Sequence, residues 1–378
     1  MAKRDRKKRK KKTEDVADAK PKRVRKKRKK SATAGNSVNN ESMNEALSAL
    51  EKETGVNISF ASEHERASNI DVISSGSILL DYIIGCGGLP RGRIVEIYGP
   101  ESGGKSTLAL LAIAQAQKKD LRAMYVDLEH GLDSKFAEGI GVDTKKLAYT
   151  SPPYAEKAFD LISAGIRKQM LDIIVVDSVG ALVPRVEKEE SMENSQVGLA
   201  ARIIGKGLRK VCDDVSLSNC LLIFINQTRL KIGVRFGDPE TTPGGKALPF
   251  FASVRLRVSI RKKTFKKNKK GRVIGHTAHI KVQKNKVGPP HGEAEFDIYP
   301  GHGVDRAAEV FELGKLTEIL YKSGKKKDTG NTWFIKSGDE PDKENDEKLA
   351  GSEEEAKKAI KKDKDLRKRL LKRIKKLL

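Results

Sequence analysis

One octapeptide narrows what this chain can fold into more than any other feature. Gly99-Pro100-Glu101-Ser102-Gly103-Gly104-Lys105-Ser106 fits G-x-x-x-x-G-K-[ST]. It follows an apolar run at residues 94–98 that reads as a strand, and it opens a run at 105–118 that reads as a helix. Strand, glycine-rich turn and helix in that order make a phosphate cradle. The glycines let successive N–H groups face an anion, and the helix N-terminus adds its positive field. Lys105 is expected at the β- and γ-phosphates of a nucleotide and Ser106 on a Mg2+ ion, with Thr107 next in the cradle. The rest of the pattern agrees. Further strands are expected at 123–128, 173–177, 221–226, 254–260, 278–282 and 294–299, and helices at 134–140, 155–168 and 197–216. This alternation predicts an α/β fold, a P-loop ATPase core with a mostly parallel twisted sheet. The last three strands lack long intervening helices, so one edge of the sheet is expected to run antiparallel.

Two carboxylates stand where a phosphate site uses them. Ile173-Ile174-Val175-Val176-Asp177 is an apolar strand that ends in an acid, the place from which Mg2+ and its waters are held. Alone the signal is weak, since many buried strands end in Asp; downstream of a P-loop it is strong. Glu129 follows the strand at 123–128, where it can orient and deprotonate an attacking water. By itself it also reads as an ordinary surface glutamate. His276 and His279 form a pair on one expected strand, but no third ligand is in view, and they read as surface residues rather than a metal site.

Charge divides the chain. The net charge is +25, of which +14 lies in residues 1–30 and +8 in residues 361–378. The body between is almost neutral. Arms this basic usually meet polyanions, DNA or RNA first among them, and otherwise serve as solvated tails. Residues 1–41 are expected to be a disordered basic arm. Residues 42–71 hold a short amphipathic helix for subunit packing, with Ser42 and Glu45 as a capping box and Met43, Leu47 and Leu50 on one stripe. The ATPase core is expected over 72–303. A small α/β C-terminal domain follows over 304–378, helical at 307–320 and 352–378. Its basic helix carries Leu366, Leu370, Ile374 and Leu377 on one face. Cys86, Cys212 and Cys220 show no metal spacing and are expected as reduced thiols. No apolar run reaches membrane length and no secretory leader is evident, so a soluble, cytoplasmic, DNA-associated protein is expected. The two Lys/Arg clusters of the N-terminal arm also resemble a bipartite nuclear-import signal, the runner-up for localisation.

Beyond the generic P-loop, six segments resemble the bacterial RecA recombinase family in order and spacing. They are GRIVEIYGPESGGKST, VDLEHGLD, IIVVDSVGALVP, GLAARIIGKGLRK, LLIFINQTRLKIGVRFGDPETTPGGKAL and KVQKNKVGPP. The resemblance covers roughly residues 43–320. It implies an ATP- and Mg2+-dependent enzyme that forms helical filaments on single-stranded DNA, pairs them with duplex DNA and exchanges strands. It assigns Glu129 as the catalytic glutamate and Gln227 as the γ-phosphate sensor. It makes Lys284 and Lys286 cations that reach the γ-phosphate of the neighbouring subunit. Asp133 and Phe136 fall where the family holds adenine, and a stacking tyrosine is expected near Pro300. Two DNA loops are implied, at residues 185–196 and 228–246. Arg202, Arg209, Arg229 and Lys231 match phosphate contacts, Val197 and Ile232 the wedges between bases, and Gly244 and Gly245 the hinge of the second loop.

The chain also departs from the family. Pro243 precedes the hinge, Pro249 replaces a usual lysine, and a basic end stands in place of an acidic tail. With the N-terminal arm these mark a divergent member, of the kind a virus or plasmid would encode. Two other classes remain open. A hexameric helicase would need an arginine finger and has no use for Lys284-Asn285-Lys286. A non-enzymatic DNA-coating protein has no use for Lys105, Ser106, Glu129 and Asp177.

Overall fold

The computed structural model describes residues 40–58, 60, 70–189, 198–230, 240–323, 332–338, 340–342 and 344–377. The N-terminal arm lies outside them. The chain divides into two units, residues 1–64 and 65–378. In the first, α1 (Asn40–Thr54) begins two residues before Ser42, so Ser42 lies in the first turn rather than at the cap the sequence suggested. Its end is tied by the Ile58 N–H, which donates to Glu51 Oε1 at 2.6 Å.

The second unit opens with β1 (Val72–Ile73) and α2 (Ile78–Ile84). Helix α2 had no strong periodic signal. It is framed instead by its caps: the Ser77 side chain accepts from the Leu80 N–H, and Gly85 closes the helix in the left-handed region. There follow β2 (Leu89–Pro90), β3 (Ile94–Gly99), α3 (Lys105–Gln117), β4 (Ala123–Asp127), α4 (Ser134–Ile140), β5 (Leu147–Thr150), α5 (Ala155–Arg167) and β6 (Ile173–Asp177). After a five-residue helix, α6 (Arg185–Glu189), come α7 (Leu199–Ser216), β7 (Leu221–Gln227), β8 (Arg229–Leu230), β9 (Glu240–Thr241) and α8 (Ala247–Phe251). The core ends with β10 (Val254–Lys267), β11 (Val273–Asn285), β12 (Glu293–Tyr299) and β13 (Gly303–Val304).

Nine of these strands form one sheet, ordered β13-β12-β11-β10-β3-β7-β6-β4-β5. From β10 to β5 every pairing is parallel, while β10 to β13 pair antiparallel, as expected. Both faces are covered, as a parallel sheet requires. Val95 and Ile97 of β3 pack with the apolar residues of α3, and Ile94 packs on the other side with α5 and α7. The hairpin of β10 and β11 is much longer than its apolar cores at 254–260 and 278–282 suggested.

The C-terminal region carries α9 (Arg306–Leu316), β14 (Leu320–Ser323), β15 (Thr332–Ile335), β16 (Glu347–Ala350), α10 (Glu353–Lys362) and α11 (Lys364–Leu377). The expected single helix over 352–378 is two. Asp363 turns extended between them, and its side chain accepts from the Asp365 and Leu366 N–H groups to start α11. Leu370 and Ile374 are buried and Leu366 is half-buried, but Leu377 is 64% exposed and leaves the expected stripe.

Candidate active site and DNA interface

The phosphate cradle lies at the C-terminal end of β3, between β10 and β7 in the sheet. Two of its glycines are fixed, Gly99 by space and Gly104 by its left-handed backbone. A Cβ on Gly99 would lie 1.9 Å from the Val258 carbonyl oxygen, and one on Gly104 (φ +96°) would lie 2.7 Å from Ile298 Cδ1. Pro100, Glu101 and Ser102 are exposed around the turn, Gly103 is buried beneath it, and Thr107 is buried in the first turn of α3. Lys105 is buried and donates to the Pro100 carbonyl at 2.7 Å. Burial pushes its ammonium down from the usual lysine range, and Asp177, Glu129 and Glu101 pull the other way.

Asp177 ends β6 facing Ser106. The Ser106 hydroxyl donates to Asp177 Oδ2 at 2.8 Å, and the Tyr125 hydroxyl donates to the same oxygen at 2.6 Å. Burial raises the Asp177 carboxyl; the two hydroxyls oppose this, and Glu129 and Asp127 add to it. Three carboxylates, Asp177, Glu129 and Glu101, thus surround one lysine, with two hydroxyls on Asp177. This hard-oxygen set fits a Mg2+ ion held by Ser106 and Asp177.

Glu129 is not an idle surface group. It accepts from the Ser178 hydroxyl and from Gln227 Nε2, the latter at 3.3 Å. The turn that carries it is held by Asp127, whose carboxylate accepts from the Gly131 and Leu132 N–H groups at 3.2 and 3.0 Å and from the Tyr149 hydroxyl at 3.2 Å. Tyr125, Asp127 and Ser178 were missed in the sequence. The signal was a tyrosine and an acid alternating inside a buried strand. Asp133 caps α4 through its side chain, which accepts from the Lys135 and Phe136 N–H groups, and Phe136 is partly buried on that helix. Tyr299 ends β12 one residue before Pro300, in the same turn as Gly301, whose carbonyl would lie 2.3 Å from a Cβ on Gly139 of α4. His276 corrects the sequence reading. It is buried on β11, with Nε2 3.4 Å from the Gly103 carbonyl.

Lys284 lies far from this chain's own cradle. It pairs in register with Arg255, which pairs with Glu96, three residues before Gly99 and two strands away. Its ammonium donates to the Pro249 and Phe250 carbonyls at 2.8 and 2.7 Å, and burial, Lys286 and Arg255 push its pKa down. Lys286 stands two residues further from the cradle, its N–H bonded to the Ser253 carbonyl. Pro249 is accommodated because it falls in the first turn of α8, where a missing N–H costs no helical bond.

The DNA candidates gather around α7 and the end of β7. Arg202 and Arg209 are exposed and line one cleft of about 670 Å³ with Ala247 and Phe251. Lys206, one turn after Arg202, lines the same cleft and was missed. Arg229 is exposed on β8, which pairs with β9 across the neck of the second loop. Gly244 (φ +87°) and Gly245 (φ +75°) both occupy the left-handed region, and a Cβ on Gly244 would lie 3.0 Å from Val179 Cγ1. The first loop begins as helix α6 rather than as irregular chain. Val197, Lys231 and Ile232 lie outside the described residues. Among the described residues there is no metal cluster of His, Cys, Asp or Glu, and no helix is long and apolar enough to cross a membrane.

Residues 41–305 match the family model described as the RecA N-terminal domain. The chain belongs to the RecA family. Its relatives include Protein RecA of Clostridioides difficile, 44% identical over 327 residues, which cover 86% of this chain and 88% of that one. Protein RecA of Methylococcus capsulatus is 47% identical over 295 residues, 78% of this chain and 82% of that one. That of Chloroherpeton thalassium is 46% identical over 297 residues, 79% and 80% of the two chains. These bacterial relatives lend no support to a nuclear-import role for the N-terminal arm.

Proposed function

We propose that this RecA-family protein is a DNA-dependent ATPase of recombination and repair that assembles as a helical filament on single-stranded DNA and exchanges strands with duplex DNA. One observation carries the reading: Glu129 and Gln227 meet at 3.3 Å, at the point where β7 runs into the second loop. A group placed to activate water thereby touches the last residue of the strand that leads into a segment placed to meet DNA. Lys105 and the backbone N–H groups of the cradle hold the triphosphate, and Glu129 orients and deprotonates the attacking water. Ser106 and Asp177 would hold Mg2+, which would neutralise phosphate charge. Asp133 and Phe136 hold the adenine, with Tyr299 as the stacking tyrosine. Arg202, Arg209, Arg229 and Lys231 take backbone phosphates, while Val197 and Ile232 separate bases.

The remoteness of Lys284 and Lys286 from their own cradle supports their service to a neighbour's γ-phosphate, the part that arginine fingers play elsewhere. Lys284→Ala and Lys286→Ala proteins are expected to bind nucleotide normally yet lose DNA-stimulated turnover. Mixing either with Glu129→Gln protein restores some turnover, because one kind of junction then has both halves intact. No recovery in any mixture means that the lysines act within their own subunit.

A further inference from the structure

Glu96 is a fully buried carboxylate in the middle of β3. A charge there is tolerated only with partners. Arg255 on β10 is one: its Nε lies 2.5 Å from Glu96 Oε2, and its guanidinium stacks on the Tyr98 ring with 4.5 Å to the centroid. Asn226 on β7 is the other, donating from Nδ2 to Glu96 Oε1 at 3.1 Å. The same Nδ2 lies 3.2 Å from the Pro243 carbonyl, while Asn226 Oδ1 accepts from the Gln227 N–H at 3.0 Å. With two acceptors on one side and a donor on the other, the amide has one orientation. A chain of polar groups therefore runs from Arg255 through Glu96, Asn226 and Gln227 to Glu129. It branches to Pro243, the residue before the Gly244-Gly245 hinge.

We infer that Glu96 is a positioning residue that couples the nucleotide site to the exit of the second loop. It rests on the reading that Gln227 senses the γ-phosphate and that this loop meets DNA. Held by Arg255, Glu96 keeps the Asn226 amide bridging Gln227 and Pro243. Movement of Gln227 then shifts the loop exit, and loop ordering by DNA shifts Gln227. Glu96 touches neither nucleotide nor DNA. Such coupling needs an element whose arrangement both sites bias, and the bridged amide supplies one.

The test separates coupling from stability. Removing Glu96 alone leaves the half-buried Arg255 without its counter-charge, which is destabilising. The paired Glu96→Leu/Arg255→Met variant removes both charges. It is expected to keep ATP turnover without DNA and nucleotide-free binding of a single-stranded oligonucleotide within about twofold of wild type, while stimulation of turnover by that oligonucleotide falls about tenfold. Glu96→Gln/Arg255→Met, which still offers Asn226 an oxygen and leaves no unpaired charge, is expected to retain most of the stimulation. Asn226→Ala leaves the ion pair in place and is expected to lose stimulation as Glu96→Leu/Arg255→Met does. Wild-type stimulation in Glu96→Leu/Arg255→Met or in Asn226→Ala overturns the relay. So does loss in Glu96→Gln/Arg255→Met as complete as in Glu96→Leu/Arg255→Met. A wild-type protein that DNA does not stimulate at all overturns the DNA-dependent reading, and the relay with it.

Discussion

Glu309 gives a prediction whose size follows from its surroundings. It sits on α9, fully buried, where it accepts from the Ser77 hydroxyl and from the Ile78 N–H at 3.3 Å, joining the C-terminal region to the cap of α2. Burial raises its carboxyl from 4.5 to about 7; the Ser77 and Ile78 hydrogen bonds and Arg306 oppose this, and Asp81 adds to it. The folded protein therefore holds a proton that the unfolded chain releases near pH 4.5. The associated stability is full below that pH and is lost as pH rises through about 7. The difference corresponds to about 3 kcal/mol in all, with about 2.5 kcal/mol of it falling between pH 5 and pH 8. Glu309→Gln imitates the protonated side chain at every pH. Urea denaturation of both proteins at pH 5 and pH 8 measures the effect. The stability of Glu309→Gln relative to wild type should rise by about 2.5 kcal/mol between the two pH values. A constant difference across that range refutes the assignment of a proton to Glu309.

Lys105→Ala should abolish nucleotide binding in a calorimetric titration, since the phosphates lose a buried cation, whereas Glu129→Gln should bind ATP and turn it over at least about 100-fold more slowly. Gly99→Ala should fail to bind nucleotide, because its Cβ would need space that the Val258 carbonyl fills; a wild-type dissociation constant contradicts this. The basic arms should strengthen duplex binding by counterion release. Because α11 buries Leu370 and Ile374, its outer face is tested by Lys368, Lys372, Lys375 and Lys376→Gln rather than by truncation, together with deletion of residues 1–30. The altered protein should show a flatter salt dependence of duplex affinity with unchanged turnover on single strands.

The parts of the site that were legible in sequence are those a local pattern fixes. The cradle must be glycine-rich between strand and helix, and Asp177 must close an apolar strand, so both could be read within a few residues. The network behind them could not. Tyr125 and Ser106 reach Asp177 from other elements, and Ser178 reaches Glu129 across 49 positions. Glu96 was visible as an acid inside an apolar strand, but which partners neutralised it depended on the order β10-β3-β7. Among the elements, β5 was missed because an edge strand with an exposed Tyr149 has no apolar period. The strands β14, β15 and β16 of the expected small α/β C-terminal domain could not be placed, because charged residues such as Lys322, Glu347 and Lys348 interrupt strands only four residues long. The break at Asp363 carries no glycine or proline, and only its capping of α11 explains it.

The central claim is that the ATP site and the DNA loop work as one device through Gln227. Steady-state ATP turnover by the wild-type and Gln227→Ala proteins, each with and without single-stranded DNA, tests it most directly. The account predicts strong stimulation of the wild-type protein and almost none of Gln227→Ala, with both retaining nucleotide binding. Equal turnover with and without DNA in the wild-type protein, or undiminished stimulation in Gln227→Ala, would contradict it.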